Sequence, residues 1–162
     1  MALFHERSEI SKHAAPMAPR LALGATMVRH GSAKIRARDR EKFAPFFESL
    51  GFRPGGRWVL ATGLVELGAG VLSMLGIGTR VAALGVLVTQ GVAISKVHAK
   101  KGFSIEHGGA EFNVALCAIA LSLLLAGPGR YSLHGLVERR AKRRGRWWER
   151  PRLGARLLDF IG

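Results

Sequence analysis

Glu66 is the residue whose type and position call for chemistry. It interrupts an otherwise apolar run, Trp58-Val-Leu-Ala-Thr-Gly-Leu-Val-Glu66-Leu-Gly-Ala-Gly-Val-Leu-Ser-Met-Leu-Gly76. A carboxylate inside hydrocarbon is costly unless it faces other protein, has a partner, or holds a proton. Candidate partners stand elsewhere in the chain. His30 and Lys34 are spaced i, i+4 and share one helical face. Lys96 and His98 close a later apolar run, and Glu106, His107 and Glu111 open the last one. If successive apolar runs are antiparallel, these groups collect at one end, with Glu66 about 13 Å deeper than Arg57 on a helical rise. His30, Lys34, Glu66, His98 and Glu111 are therefore the candidate ligand-binding cluster. Carboxylate, imidazole and ammonium groups in an apolar wall can hydrogen-bond a quinone carbonyl and relay its protons. The same groups would also suit a proton path or an anion passage. No metal is expected, because H-x-x-x-H and H-E-x-x-H are absent and two lone histidines need a third ligand. No catalytic residue is assigned, and the sequence leaves open whether the protein is an enzyme.

Each group also has a plain structural role to set against this one. His30 can cap a helix end, and Lys96 and Lys100 can snorkel to headgroups. Glu111 suits a helix first turn through the dipole, and Gln90 can act as interhelical glue. Glu66 is the hardest to explain structurally, since a buried ion pair is weak evidence for stability.

The elements that would position these groups form an all-α integral membrane four-helix bundle with interfacial amphipathic segments. The Glu66 run, from about Arg57 to Gly78, is long enough to cross a ~30 Å hydrocarbon core at ~1.5 Å per residue. Val81 to Ser95 and Phe112 to Gly127 follow as further spans, the last stopped by Pro128 and Gly129. A first span from Ala14 to Ile35 carries Arg20, Arg29, His30 and Lys34, so it crosses only if its charges are met inside the bundle. The link Gly78-Thr79-Arg80 demands a tight antiparallel hairpin. Between the first two spans, Phe43, Phe46, Phe47 and Leu50 recur at helical spacing among charges, which predicts a short interfacial helix before the turn at Phe52-Arg-Pro-Gly-Gly56.

Composition fits that frame. Of 162 residues 48% are hydrophobic, yet the net charge is +14, and the apolar residues stand in blocks with Arg and Lys between and after them. This is the pattern of a small multi-span membrane protein with basic flanks. Cys117 is the single cysteine, which excludes an internal disulfide. Residues 1–13 form a polar tail without the apolar region of a signal peptide, 14–132 the membrane domain, and 133–162 a basic amphipathic tail. That tail, with Trp147 and Trp148, is expected on anionic lipid headgroups rather than on nucleic acid. Trp58 and Tyr131 are the other expected interface residues. Basic flanks favour both termini in the cytoplasm of a bacterial inner-membrane, multi-pass protein.

Several words of the sequence resemble the DoxX family of small four-helix membrane proteins. These are Arg20-Leu-Ala-Leu-Gly24, His30-Gly-Ser-Ala-Lys34, Phe46-Phe-Glu-Ser-Leu-Gly51, Gly63-Leu-Val-Glu-Leu-Gly-Ala-Gly70, Gly76-Ile-Gly-Thr-Arg-Val-Ala-Ala83, Gly108-Gly-Ala-Glu-Phe-Asn113 and Leu124-Leu-Leu-Ala-Gly-Pro-Gly-Arg-Tyr-Ser-Leu133. The resemblance implies four spans, cytoplasmic termini and a link to redox chemistry. Some relatives are membrane subunits of thiosulfate:quinone oxidoreductase, and others belong to oxidoreductase complexes that respond to thiol stress. His30, Lys34, Glu66 and Glu111 match the family's recurrent polar positions, and His98 matches more loosely. Arg29 departs from the family's usual apolar residue, and Glu138 to Gly162 lies outside its core. With no thiosulfate-oxidising domain, catalysis would need partner subunits. The expected function is a quinone-interacting or redox-associated subunit of a membrane oxidoreductase complex, with quinone the one candidate cofactor. The alternative is a non-catalytic anchor or assembly subunit. Either would meet partner chains or further copies of itself.

Overall fold

The computed structural model describes residues 14–143, and these are helical with no strand among them. The elements are α1 (Met17–Ile35), α2 (Ala37–Ser49), α3 (Gly55–Leu75), α4 (Thr79–Ala93), α5 (Glu111–Ala126) and α6 (Leu133–Arg143). The chain from α4 stays helical through a π turn, Ile94–His98, and a 3-10 turn, Ala99–Lys101; a second 3-10 turn, Ile105–His107, precedes α5. The expected third span thus runs on past Ser95.

α1 packs along α3, α3 against α4, and α4 against α5, while α2 lies over the start of α3. The α1–α3 seam is closed by glycine. Gly24 and Gly31 are seven residues apart, as are Gly63 and Gly70, and in the antiparallel pair Gly24 faces Gly70 and Gly31 faces Gly63. A Cβ on Gly24 would come within 2.8 Å of the Gly70 carbonyl oxygen, and one on Gly31 within 2.6 Å of that of Gly63. Only a hydrogen fits at these crossings, so the two backbones touch. The hairpin between α3 and α4 closes at Gly76, whose φ of 67° is the left-handed conformation of a helix end, with the Ile77 N–H donating back to the Leu72 carbonyl at 3.1 Å.

The core joins Leu23 and Met27 of α1 to Ala69 of α3, Ala82, Ala83 and Val86 of α4, and Leu116, Ala120 and Leu123 of α5. Many large apolar residues point the other way: Leu64 and Val71 on α3, Val81 on α4 and Leu125 on α5 are all exposed, the last at 74%. A helix apolar all round suits burial or lipid, not water. Among the described residues, α3 (21 residues) and the helical run Thr79–Lys101 (23 residues) are long and apolar enough to cross a membrane, and α5 is apolar but shorter. Of the four expected spans, length and composition single out these two. The interfacial helix expected before Phe52 is α2, which buries none of its residues. The expected interface pair Trp147 and Trp148, with the amphipathic end of the tail, lies outside the described residues.

Candidate functional site

Near the middle of α3, Glu66 is 5% exposed and its Oε2 accepts from Lys34 Nζ of α1 at 2.6 Å. The glycine seam explains the meeting. Cα–Cβ bonds tilt toward each helix's own N-terminus, so on antiparallel helices a Lys34 side chain reaching inward and a Glu66 side chain reaching outward converge. Gly63 supplies the room: a Cβ there would lie 2.8 Å from Lys34 Cβ. Lys34 itself is 17% exposed, so the pair has one deep member and one nearer the opening.

Both groups line a cavity of about 530 Å³ at the end of the molecule away from Met17 and Leu133. His30, Lys34, Glu66 and His98 are brought together on its walls, joined by Lys96. The π turn matters here. An extra residue in one turn rotates the side chains that follow by about 100° relative to a continued α-helix, and Lys96 and His98 stand within it. His98 Nδ1 lies 2.7 Å from the Gly108 carbonyl oxygen. His30 stacks on Phe112 at 6.1 Å between ring centroids. Glu111 stands apart: it is not on the cavity wall, and its Oε2 accepts the Ile105 N–H at 3.0 Å, tying the loop before α5. Glu106 and His107 do not line the cavity either.

Three features go beyond the sequence-derived cluster. First, Gln90 Oε1 accepts from Asn113 Nδ2 at 2.7 Å, and this buried amide pair lines the cavity floor between α4 and α5. Asn113, polar within an apolar run, was the available signal. Second, an aromatic wall runs through Phe46, Phe47, Phe52 and Trp58, with ring centroids 6.2, 6.2 and 5.3 Å apart in turn. α2 is held there by Glu48 Oε1, which accepts the Gly55 N–H at 2.9 Å. Third, Arg20 is 2% exposed at the opposite end, donating from Nη2 to the Tyr131 carbonyl at 2.6 Å. Its flanking position disguises it as a headgroup anchor. Of the expected interface residues that are described, Trp58 and Tyr131 are both about half exposed.

Among the described residues no group of three or more His, Cys, Asp or Glu side chains could hold a metal ion. The cavity is instead suited to an organic ligand with a flat apolar body and polar edge atoms: aromatic and aliphatic walls, with an ion pair, an amide pair and two imidazoles. Its volume falls in the ~300–1,000 Å³ range of small-molecule sites.

The DoxX family model matches residues 15–99, which include His30, Lys34, Glu66 and His98 but not Glu111. No curated protein and no solved structure matches the chain. With more than half of its residues matched, the chain belongs to the DoxX family, a family of membrane proteins.

Proposed function

On the premise of that membership, we propose that the protein is a quinone-interacting subunit of a bacterial membrane oxidoreductase complex. The observation that carries the reading is the cavity itself: an aromatic wall from α2 and α3 facing a buried Lys34–Glu66 pair. A quinone ring stacks on such a wall, and Lys34, with two N–H groups beyond the one given to Glu66, can donate to a ring oxygen. The ring's isoprenoid tail is at home in the surrounding lipid.

In this reading α1, α3, the α4 run and α5 all cross the membrane. α1 meets two of its charges inside the protein, Lys34 on Glu66 and Arg20 on the Tyr131 carbonyl. Arg139 and Arg140 after the last crossing favour a cytoplasmic C-terminus, and the even number of crossings puts the N-terminus beside it. The cavity then opens on the far face. Electron transfer would take place with partner subunits, since this chain contributes the binding site and a lipid-embedded scaffold.

The test is purification from native membranes in mild detergent, followed by solvent extraction and mass spectrometry. Co-purified quinone that is lost in Glu66→Gln supports the proposal. A quinone-free wild type arriving with stoichiometric partner chains would replace it with an anchoring or assembly role.

A further inference from the structure

The geometry of His98 says which form of the ring the cavity favours. A carbonyl oxygen only accepts hydrogen bonds, so at 2.7 Å from the Gly108 oxygen, Nδ1 must carry the proton. In the neutral ring this leaves Nε2 as a bare acceptor. No other described residue bonds to the ring, which is half-buried on the cavity wall. Glu66 adds a second acceptor, because it meets Lys34 through Oε2 and leaves Oε1 without a described partner. Gln90 Oε1, by contrast, is already taken by Asn113.

A quinone carries only acceptor oxygens. Bound here, it would satisfy Lys34 but remove water from His98 Nε2 and give that nitrogen nothing in return. A hydroxyl can do both jobs, accepting from an ammonium and donating to an imidazole. We infer that the cavity binds the reduced, hydroxyl-bearing ring in preference to the oxidised one, with a ring hydroxyl donating to His98 Nε2. This inference rests on the quinone reading of the cavity and adds the redox state that the site selects. His98 acts as a ligand-binding acceptor, held in one tautomer by the Gly108 carbonyl.

The experiment titrates the full-length protein in nanodiscs with a decyl-substituted benzoquinol under reductant and separately with its oxidised partner. The expected result is about tenfold tighter binding of the quinol, the scale of an acceptor that the bound ring covers and leaves unpaired. His98→Phe should abolish the preference by weakening the quinol alone. His98→Gln, whose amide can donate to Gly108 and accept the hydroxyl, should retain most of it. Should His98→Phe fail to insert, 15N-histidine NMR of the native protein serves instead, with the His98 signal assigned by His98→Gln. Its Nε2 resonance should move with the quinol and not with the quinone. Equal affinities, or tighter binding of the oxidised ring, would overturn this inference and leave the cavity reading standing. Failure of both forms to bind would overturn the cavity reading itself.

Discussion

Replacing Lys34 by Met removes the cation that faces Glu66, and the cost follows from the unequal burial of the two partners. Glu66 is 5% exposed near the midpoint of a 21-residue helix, and its short side chain cannot carry the charge out to the opening. Stripping one partner from a buried pair costs about 3–5 kcal/mol. The reverse change, Glu66→Gln, leaves a lysine that is 17% exposed, whose long stem can carry the ammonium toward the opening. It should cost about 1.5–3 kcal/mol, the scale of a lost charged hydrogen bond. Replacing both, as Lys34→Met with Glu66→Leu, removes the charges together, and buried pairs exchanged for apolar residues are often neutral. The double variant should therefore be more stable than Lys34→Met alone. Thermal unfolding of purified protein in a single detergent reads all of this. Lys34→Met should lower the melting temperature on the order of 10 °C, with the double variant recovering most of the loss. Equal losses for the two single variants, adding up in the double, would refute the assignment of a deep carboxylate rescued by a shallower ammonium.

The glycine seam makes an equally direct test. Gly31→Ala puts a methyl against the backbone of Leu67 and Gly63 and should cost about 1–3 kcal/mol as α1 and α3 are forced apart; Gly68→Ala, with nothing within 4 Å, should be neutral or slightly stabilising in the same unfolding assay. Arg20→Ala and Arg20→Met both lose the bond to Tyr131 and both remove Nε and Nη1, two buried donors without a described partner, but only Ala leaves a void. Met should thus be the milder change by about 2 kcal/mol, read as the difference between the two melting temperatures. In a Trp147→Phe/Trp148→Phe background, a bound quinone should quench Trp58 fluorescence saturably, because Trp58 is on the cavity wall; quenching that stays linear with quinone concentration would mean collision in lipid.

The sequence exposes the deep carboxylate well, because a charge in an apolar run has few excuses. Lys34 is readable too, since its i, i+4 partner His30 and its place at the end of the first apolar run bring it to the level of the start of α3. The hairpin follows from a short link, expected at Gly78-Thr79-Arg80 and formed two residues earlier at Gly76-Ile77-Gly78, with Thr79 and Arg80 already in α4. What escapes the sequence is mostly a matter of how faces are used. Phe46 and Phe47 lie at the spacing of a helix floating on headgroups, whereas the tie between Glu48 and Gly55 and the ring contacts through Phe52 to Trp58 hold that helix against the cavity. The π turn has no local signature at Ile94–His98, yet it decides where Lys96 and His98 point. Arg20 has the sequence position of a surface anchor and becomes one of the most buried side chains of the fold. Glu111 shares an end of the molecule with the cavity, but the Ile105 N–H captures its carboxylate. A residue's level along the helix bundle is therefore legible from spacing; its direction around the helix depends on packing that spacing does not encode.

The most direct test of the central claim is photolabelling of the membrane-embedded protein with an azido-substituted quinone, with labelled peptides mapped by mass spectrometry. If the cavity is the quinone site, label should concentrate between Phe46 and Trp58 and around Gln90 to His98, and excess unmodified quinone should compete it away. Label spread over exposed residues of α5, such as Leu121 and Leu125, and indifferent to competitor would contradict the account.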